Sequence, residues 1–434
     1  MNRASFVLLR MSALTLLMDL GCSSNSSGDN PGSSAGTSSS GAGFGGGGSA
    51  AAGSSNASQG GSAGSSLPVG GAGSGAGGGT ENAGGAGGTV AAGAAGTGGA
   101  VQTAGAGGLS AAGGTSGATG AAGGPTVYPT PVTDHRAIGV HDPSMIQVGP
   151  TYYLFATGGK LGVRSSTNLG TWSNAGAIFS ALPGWIATEL GQTITDLWAP
   201  DISFENGTYR VYYAGSTFGS NHSVIGLATN TTLDQKNAAY KWVDQGLVIE
   251  SNKAGSSDNW NAIDPNFVKD ESGNPWLVFG SFWSGIKLRR LDPTTGKVSS
   301  DDSTLYSLAN NSGGIEAPSI VFHNGYYYLF VSFDACCKGV DSTYRTMVGR
   351  ATTITGPYAD NTGKAMLQGG ALQLLAKDGR YIGPGGGTAF RDGSLYYYVY
   401  HYYDGNANGA SLLMMRPIAW TADDWPMLSA PLWQ

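Results

Sequence analysis

Tyr152–Thr157 reads YYLFAT, and four later runs repeat its character: Tyr209–Ala214 (YRVYYA), Trp276–Ser281 (WLVFGS), Tyr327–Ser332 (YYLFVS) and Tyr396–His401 (YYYVYH). The runs begin at 152, 209, 276, 327 and 396, so the gaps are 57, 67, 51 and 69 residues. Each gap holds a four-stranded antiparallel sheet plus loops. Turn signals stand just ahead of four of the runs: Glu205-Asn206-Gly207, Asp270–Gly273, His323-Asn324-Gly325 and Arg391-Asp392-Gly393. No amphipathic helix of convincing length interrupts the pattern. The reading is an all-β, five-bladed β-propeller. A β-sandwich is the competing architecture, but it does not require five-fold recurrence.

Working outward from the runs, three carry an acid ahead of them in a proline motif. These are Asp142 in His141-Asp142-Pro143, Asp264 in Ile263-Asp264-Pro265 and Glu316 in Glu316-Ala317-Pro318. Each lies 11 or 12 residues before Tyr153, Trp276 or Tyr327. That segment is the expected innermost strand of its blade, where free backbone groups tolerate proline. Equivalent positions in a propeller face one axis, so the three acids are expected to meet at one mouth of the channel. Blade two has Ala199-Pro200 at this place, with no acid before the proline.

Composition bounds the partners. The chain has 434 residues, a formal net charge of −6 and 12% charged residues, with no basic stripe. Nucleic acid is therefore excluded as a natural partner, and nothing implies a protein partner. Residues 1–22 read as an export signal, with Arg3 and Arg10 ahead of a short apolar stretch too brief to span a bilayer. Leu20-Gly21-Cys22 resembles the cleavage site of bacterial lipoproteins, with Asp19 where an apolar residue is usual. Cys22 is thus the expected lipid attachment point and the only expected link to a membrane; secretion without lipid is the alternative. Residues 23–125 are Gly, Ser, Ala and Thr with almost nothing else, a composition that cannot bury enough apolar surface to order itself. They are expected to form a flexible tether, and 126–434 to form the catalytic propeller. Besides Cys22 the chain has only the adjacent Cys336 and Cys337, which offers either a vicinal disulfide or two buried thiols.

Three carboxyl groups around one opening suit glycosidic bond hydrolysis. One carboxylate activates water, one carboxylic acid protonates the leaving oxygen, and a third raises its neighbour's pKa. An isolated Asp-Pro is more often a turn or an ion-pair partner; three at matched places are better read as a site. The surrounding motifs carry more information. They are His141-Asp142-Pro143, Leu197–Asp201 (LWAPD), Trp260–Pro265 (WNAIDP), Gly280–Gly285 (GSFWSG), Ile315–Pro318 (IEAP), and Cys336-Cys337 followed by Asp341–Tyr344 (DSTY). In this order they resemble family 43 glycoside hydrolases, specifically the endo-1,5-α-L-arabinanases, from about residue 135 to the C-terminus.

The export signal puts the protein outside a bacterial cell, free or lipid-anchored at its surface, and the resemblance implies that it is an enzyme. It would cleave internal α-1,5-L-arabinofuranosyl linkages of arabinan, a plant polysaccharide, with inversion. Asp142 matches the general base, Glu316 the general acid, and Asp264 the residue that tunes and orients the acid. The resemblance also implies a channel ion, usually described as calcium, held by His401 and waters. Sugar sites stack aromatics and bond hydroxyls. Trp198, Phe218 and Trp283 are the stacking candidates, Asn261 and Ser281 the hydrogen-bonding ones, and His141 adjoins the base. Gly383–Gly387 (GPGGG) departs from the family pattern and leaves a channel contact open. The alternatives are another family 43 activity, α-L-arabinofuranosidase or β-xylosidase, and a propeller that binds polysaccharide without cutting it.

Overall fold

The computed structural model describes residues 136–433. The export signal, Cys22, the Gly-rich stretch 23–125 and the first ten residues of the expected domain lie outside them. Among the described residues, no helix is long and apolar enough to cross a membrane.

Each aromatic run forms the second strand of a four-stranded antiparallel sheet, and five such sheets follow in chain order. The first comprises β1 (Ser144–Val148), β2 (Thr151–Phe155), β3 (Gly162–Ser166) and β4 (Ser173–Ala177). After a short helix, α1 (Gly184–Leu190), come β5 (Trp198–Glu205), β6 (Thr208–Gly215), β7 (Ser223–Asn230) and β8 (Val243–Ser251). The third sheet holds β9 (Asn266–Lys269), β10 (Pro275–Phe279), β11 (Ile286–Arg290) and β12 (Tyr306–Ala309). The fourth holds β13 (Ile315–His323), β14 (Tyr326–Phe333), β15 (Arg345–Ala351) and β16 (Leu372–Leu375). The fifth holds β17 (Tyr381–Asp392), β18 (Leu395–Asp404), β19 (Ala410–Trp420) and β20 (Pro426–Leu428). The first strands β1, β5, β9, β13 and β17 touch one another in sequence and back to the start, so they line a closed ring. This is a five-bladed propeller.

Aromatic and β-branched side chains fill the wedges between neighbouring blades. Tyr212 and Leu227 of blade two cluster with Leu277 and Phe279 of blade three, and Phe330 of blade four stacks on Tyr398 of blade five. Burial of such rings supplies roughly 2–3 kcal/mol each in transfer free energy, which is why every second strand is aromatic. The ring is sealed near its ends. Gly139 bridges Leu412 of β19, the Leu413 amide donates to the Ile138 carbonyl, and the buried Trp433 indole donates to the Leu169 carbonyl.

Polar side chains tie the inner strands together. Ser144 Oγ accepts the Ile202 amide, Asp201 Oδ2 the Phe267 amide, Asn266 Oδ1 the Ile320 amide, and Ser319 Oγ the Ala389 amide. Each of these acceptors follows the proline of its blade and reaches the next blade. Asp201 also accepts from Ser144 Oγ and Asn266 Nδ2, while burial pushes its carboxyl up to about 7 against these donors.

Candidate active site

The inner strands reach the channel through one repeated distortion. Asp142, Ala199, Asp264, Ala317 and Gly386 all have positive φ, between 43° and 56°. Four of the five precede proline, and the ladder register slips at this point in blades two, four and five. Left-handed backbone is uncommon for residues with a side chain, though Asp tolerates it best, and such outliers gather at functional sites. Here they turn the chain so that Asp142, Ala199, Asp264, Ala317 and Gly386 line one cavity with Pro200, Pro265, Pro318, Gly387 and Thr388. The structure also refines the expected equivalence of the acids. Asp142 and Asp264 occupy the distorted position itself, whereas Glu316 stands one residue upstream of it.

Glu316 is nonetheless brought to the same site by its longer side chain and two hydroxyls. Ser281 Oγ donates to Oε2 at 2.7 Å, and Tyr344 Oη donates to Oε1. Hydroxyls can donate or accept, so this clamp holds the carboxyl in either protonation state. Burial raises the Glu316 pKa, and the charge of Asp142 adds to the rise against the two hydroxyl bonds. Asp264 accepts the Ala317 amide at 3.0 Å, which fixes the strand beside Glu316. Its own carboxyl is raised well above the usual range by burial, then by the charges of Glu316 and Asp142.

Asp142 is driven the other way. Burial would raise it, but His141 at 2.8 Å, the nearby His401 ring and Thr157 Oγ1 at 2.7 Å together hold it down at about 2. Both close contacts fall on Oδ2. Thr157 in turn accepts the Ala199 amide at 2.7 Å, so a blade-one hydroxyl carries the Asp142 contact into blade two. The site therefore sets one carboxyl driven down, Asp142, against two driven up, Glu316 and Asp264.

Residues 128–426 match the family model described as glycosyl hydrolases family 43. This chain belongs to glycosyl hydrolase family 43. It is 44% identical over 294 residues to the extracellular endo-α-(1→5)-L-arabinanase 1 of Bacillus subtilis, covering 66% of this chain and 87% of that protein. It is 37% identical over 305 residues to the extracellular exo-α-(1→5)-L-arabinofuranosidase of Cellvibrio japonicus, covering 68% and 87%. Among solved structures, a family 43 endo-arabinanase from Bacillus licheniformis superposes with a TM-score of 0.63 at 45% identity, covering 68% of this chain and 100% of that one.

His401 of β18 is fully buried; its Nδ1 accepts the Asp142 amide at 3.2 Å and lies 3.8 Å from Asp142 Oδ1. Its Nε2 is buried with no hydrogen-bond partner. Burial and the neighbouring His141 lower its pKa well below the usual value, so the ring is neutral. An imidazole whose Nδ1 accepts an amide carries its proton on Nε2, so this buried nitrogen could serve as the single protein ligand of a water-held cation only in the other tautomer, with the Asp142 amide bond given up. It is a sparse donor set for calcium, which prefers oxygen.

Gly386 accounts for the family 43 departure at Gly383–Gly387. A Cβ there would come within 2.4 Å of His401 Cε1 and 2.6 Å of Asp142 Oδ1, at φ +56°. Glycine keeps Asp142 Oδ1 open on the channel side. The Gly386 amide is satisfied by Ser332 Oγ at 2.9 Å, and Thr346 Oγ1 donates to the Pro384 carbonyl.

The stacking and hydroxyl candidates differ in burial, and among them Ser281 alone has a hydrogen bond to one of the three acids. Trp198 adjoins the cavity residue Ala199, and Phe218 is 80% exposed on the loop after β6. Trp283 is 40% exposed, beside Phe282 at 39%, on the loop whose Ser281 holds Glu316. Phe282 was not singled out in the sequence; its amide bonds the Ile315 carbonyl, next to Glu316. Asn261 is buried, its amide reaches the Ser220 carbonyl at 3.5 Å, and its Oδ1 has no partner. Thr157, Tyr344 and Tyr403 complete the set the sequence reading passed over. Each bonds Asp142, Glu316 or His141 across the fold, a relation that no local motif announces. Cys336 and Cys337 are joined as a vicinal disulfide beside His141.

Proposed function

We propose that this family 43 chain hydrolyses the α-1,5-L-arabinofuranosyl linkages of arabinan, cutting internally and with inversion at the anomeric carbon. The observation that carries the reading is the opposite driving of two carboxyl groups at one channel: Asp142 down, Glu316 up. Asp142, as carboxylate, takes a proton from water through its open Oδ1 while that water attacks the anomeric carbon. Glu316, as carboxylic acid, gives its proton to the leaving glycosidic oxygen. Asp264 keeps Glu316 in place through the Ala317 amide. Trp198, Phe218 and Trp283 offer ring faces to furanose units on either side, with Asn261 and Ser281 near their hydroxyls. Solvent then returns the proton from Asp142 and restores the one on Glu316.

His401 would hold a calcium ion in its other tautomer, with Nε2 free of its proton and water completing the shell. Bound there, the ion would supply positive charge beside Asp142. Chelation should lower turnover and His401→Ala should reproduce the loss; unchanged turnover in both removes the ion from the reading. The named relatives also support export of the enzyme, and lipid attachment at Cys22 extends that reading; mass spectrometry of the mature N-terminus decides it.

The test is linear arabinan with product analysis. A rapid fall in viscosity with a ladder of oligosaccharides supports internal cutting, and proton NMR of the first anomer formed reads the stereochemistry. Relatives described as exo-acting favour a second reading, release of short products from chain ends. Steady release of one short product with little loss of viscosity would select it. Binding of arabinan without products would favour a non-catalytic propeller instead, and a preference for xylan or aryl-glycosides another activity of the family.

A further inference from the structure

The vicinal disulfide stands at the end of a chain of contacts that leads to Asp142. The Cys337 amide donates to Tyr403 Oη at 2.8 Å. Tyr403 Oη lies 2.9 Å from His141 Nε2, and His141 Nδ1 lies 2.8 Å from Asp142 Oδ2. The Asp142 carboxylate can only accept, so His141 carries its proton on Nδ1. Nε2 meets Tyr403 Oη as acceptor in the neutral ring or as donor in the protonated one, and in both Tyr403 accepts the Cys337 amide. Every contact in the chain is kept in either state of the ring. His141 is also held across its face, stacked on His401 with centroids 3.8 Å apart, while Cys337 Sγ approaches Nε2 at 3.7 Å.

The amide that starts this chain is the one enclosed by the disulfide. Joining two adjacent cysteines closes an eight-membered ring around the Cys336–Cys337 peptide and fixes where its N–H points. Cys337 itself has a φ of +65°, which a residue with a side chain adopts only when its surroundings impose it. The flanking loop is anchored separately, through Thr343 to Ala335 and Ser342 Oγ to Lys338. Loss of the disulfide therefore frees one amide more than it frees the loop.

We propose that the Cys336–Cys337 disulfide positions the general base, holding His141 through Tyr403 so that Asp142 faces the attacking water. This rests on the reading of Asp142 as base given above. Misplacement of a catalytic group by about 1 Å can cost up to roughly a hundredfold, so partial loosening through two intermediaries is expected to cost about tenfold.

The test compares the wild type, the Cys336→Ser/Cys337→Ser double variant, Tyr403→Phe and the triple variant on linear arabinan, with melting temperature and circular dichroism as controls. The expected result is a kcat about tenfold lower in the double variant, KM within twofold, and no further loss when Tyr403→Phe is added. Full kcat without the disulfide, or losses that multiply in the triple variant, overturns the proposal. Should the serine variant fail to fold, the wild type is opened in its folded state with a water-soluble phosphine. The phosphine is oxidised to its oxide as the S–S bond becomes two thiols, and the same drop in kcat is expected. Nitrogen-15 NMR of the His141 ring reads the relay without turnover. The Nε2 resonance should shift when the disulfide is opened, as its contact with Tyr403 loosens, and an unchanged ring spectrum overturns the proposal. If the wild type leaves arabinan uncut, the substrate reading fails, and the NMR arm still decides whether the disulfide sets His141.

Discussion

Two rings of residues encircle the channel, separated by a single proline, and they serve opposite ends. The residues at the distorted position or one before it, Asp142, Asp264 and Glu316, bring three carboxyl groups to the candidate site. The residues just after the proline, Ser144, Asp201, Asn266 and Ser319, are buried and stitch each blade to the next. Both rings contain carboxylates, and Asp201 lies within a few residues of a cavity wall. What separates them is partner count. Asp201 accepts three donors and is closed to solvent chemistry, whereas Asp142 keeps one oxygen without a bond and Glu316 is held only by hydroxyls that can exchange roles. A chemical group and an architectural one can therefore sit two or three residues apart, and the hydrogen bonds left unmade distinguish them.

The separation can be broken by substitution on each side. The largest effect is expected from Glu316→Ala, with kcat on arabinan lower by roughly 10⁴-fold, at the upper end of general acid contributions; its melting temperature should stay within a few degrees. A large loss of stability there would mean that the inner ring is also structural. On the outer side, Asp201→Ala strands the Phe267 amide, Asn266 and Ser144. With each buried orphan costing about 1–3 kcal/mol, a stability loss of roughly 3–4 kcal/mol is expected by chemical denaturation. Residual folded enzyme should retain kcat within a few-fold.

Smaller effects sharpen the contrast. Because Glu316 works protonated and burial raises its pKa, activity should persist above the usual 4.5 of a glutamic acid and fall only as pH passes the raised value. A kcat profile whose alkaline limb sits at the ordinary glutamate position would break the burial argument. Gly386→Ala places a methyl against Asp142 Oδ1 and His401 at a left-handed φ. It should lower kcat about tenfold with a stability cost near 1 kcal/mol, read from kinetics and melting together. Last, Ser319→Ala leaves the Ala389 amide unbonded and should cost about 1 kcal/mol with no change in rate.

The blades were legible because their signal is repeated: five aromatic runs fell on five second strands. The site was legible in its acids, since proline motifs at matched spacing are visible without a structure. The latch ring was not. Ser144, Asn266 and Ser319 look like ordinary turn residues beside a proline, and their partners lie 54 to 70 residues away. The one-residue offset of Glu316 was hidden for a related reason, because Glu316-Ala317-Pro318 resembles Asp-Pro in sequence but differs in phase across a bulge. The sealing contacts of Ile138–Val140 with β19 were equally silent, as three residues carry no periodicity. The short helix α1 ends at a left-handed Gly191 and carries no side-chain cap, so nothing local announced it.

The seal has a consequence for how the enzyme comes into being. Val140 and its partner Ser411 stand 271 residues apart, so the earliest clasp residues to leave the ribosome wait for nearly the last strand to be made. Contacts of such span are slow to form, and until this one closes the five inner strands enclose nothing. A nascent chain can own four finished blades and all three acids of the candidate site, yet have no closed ring until its final hairpin arrives.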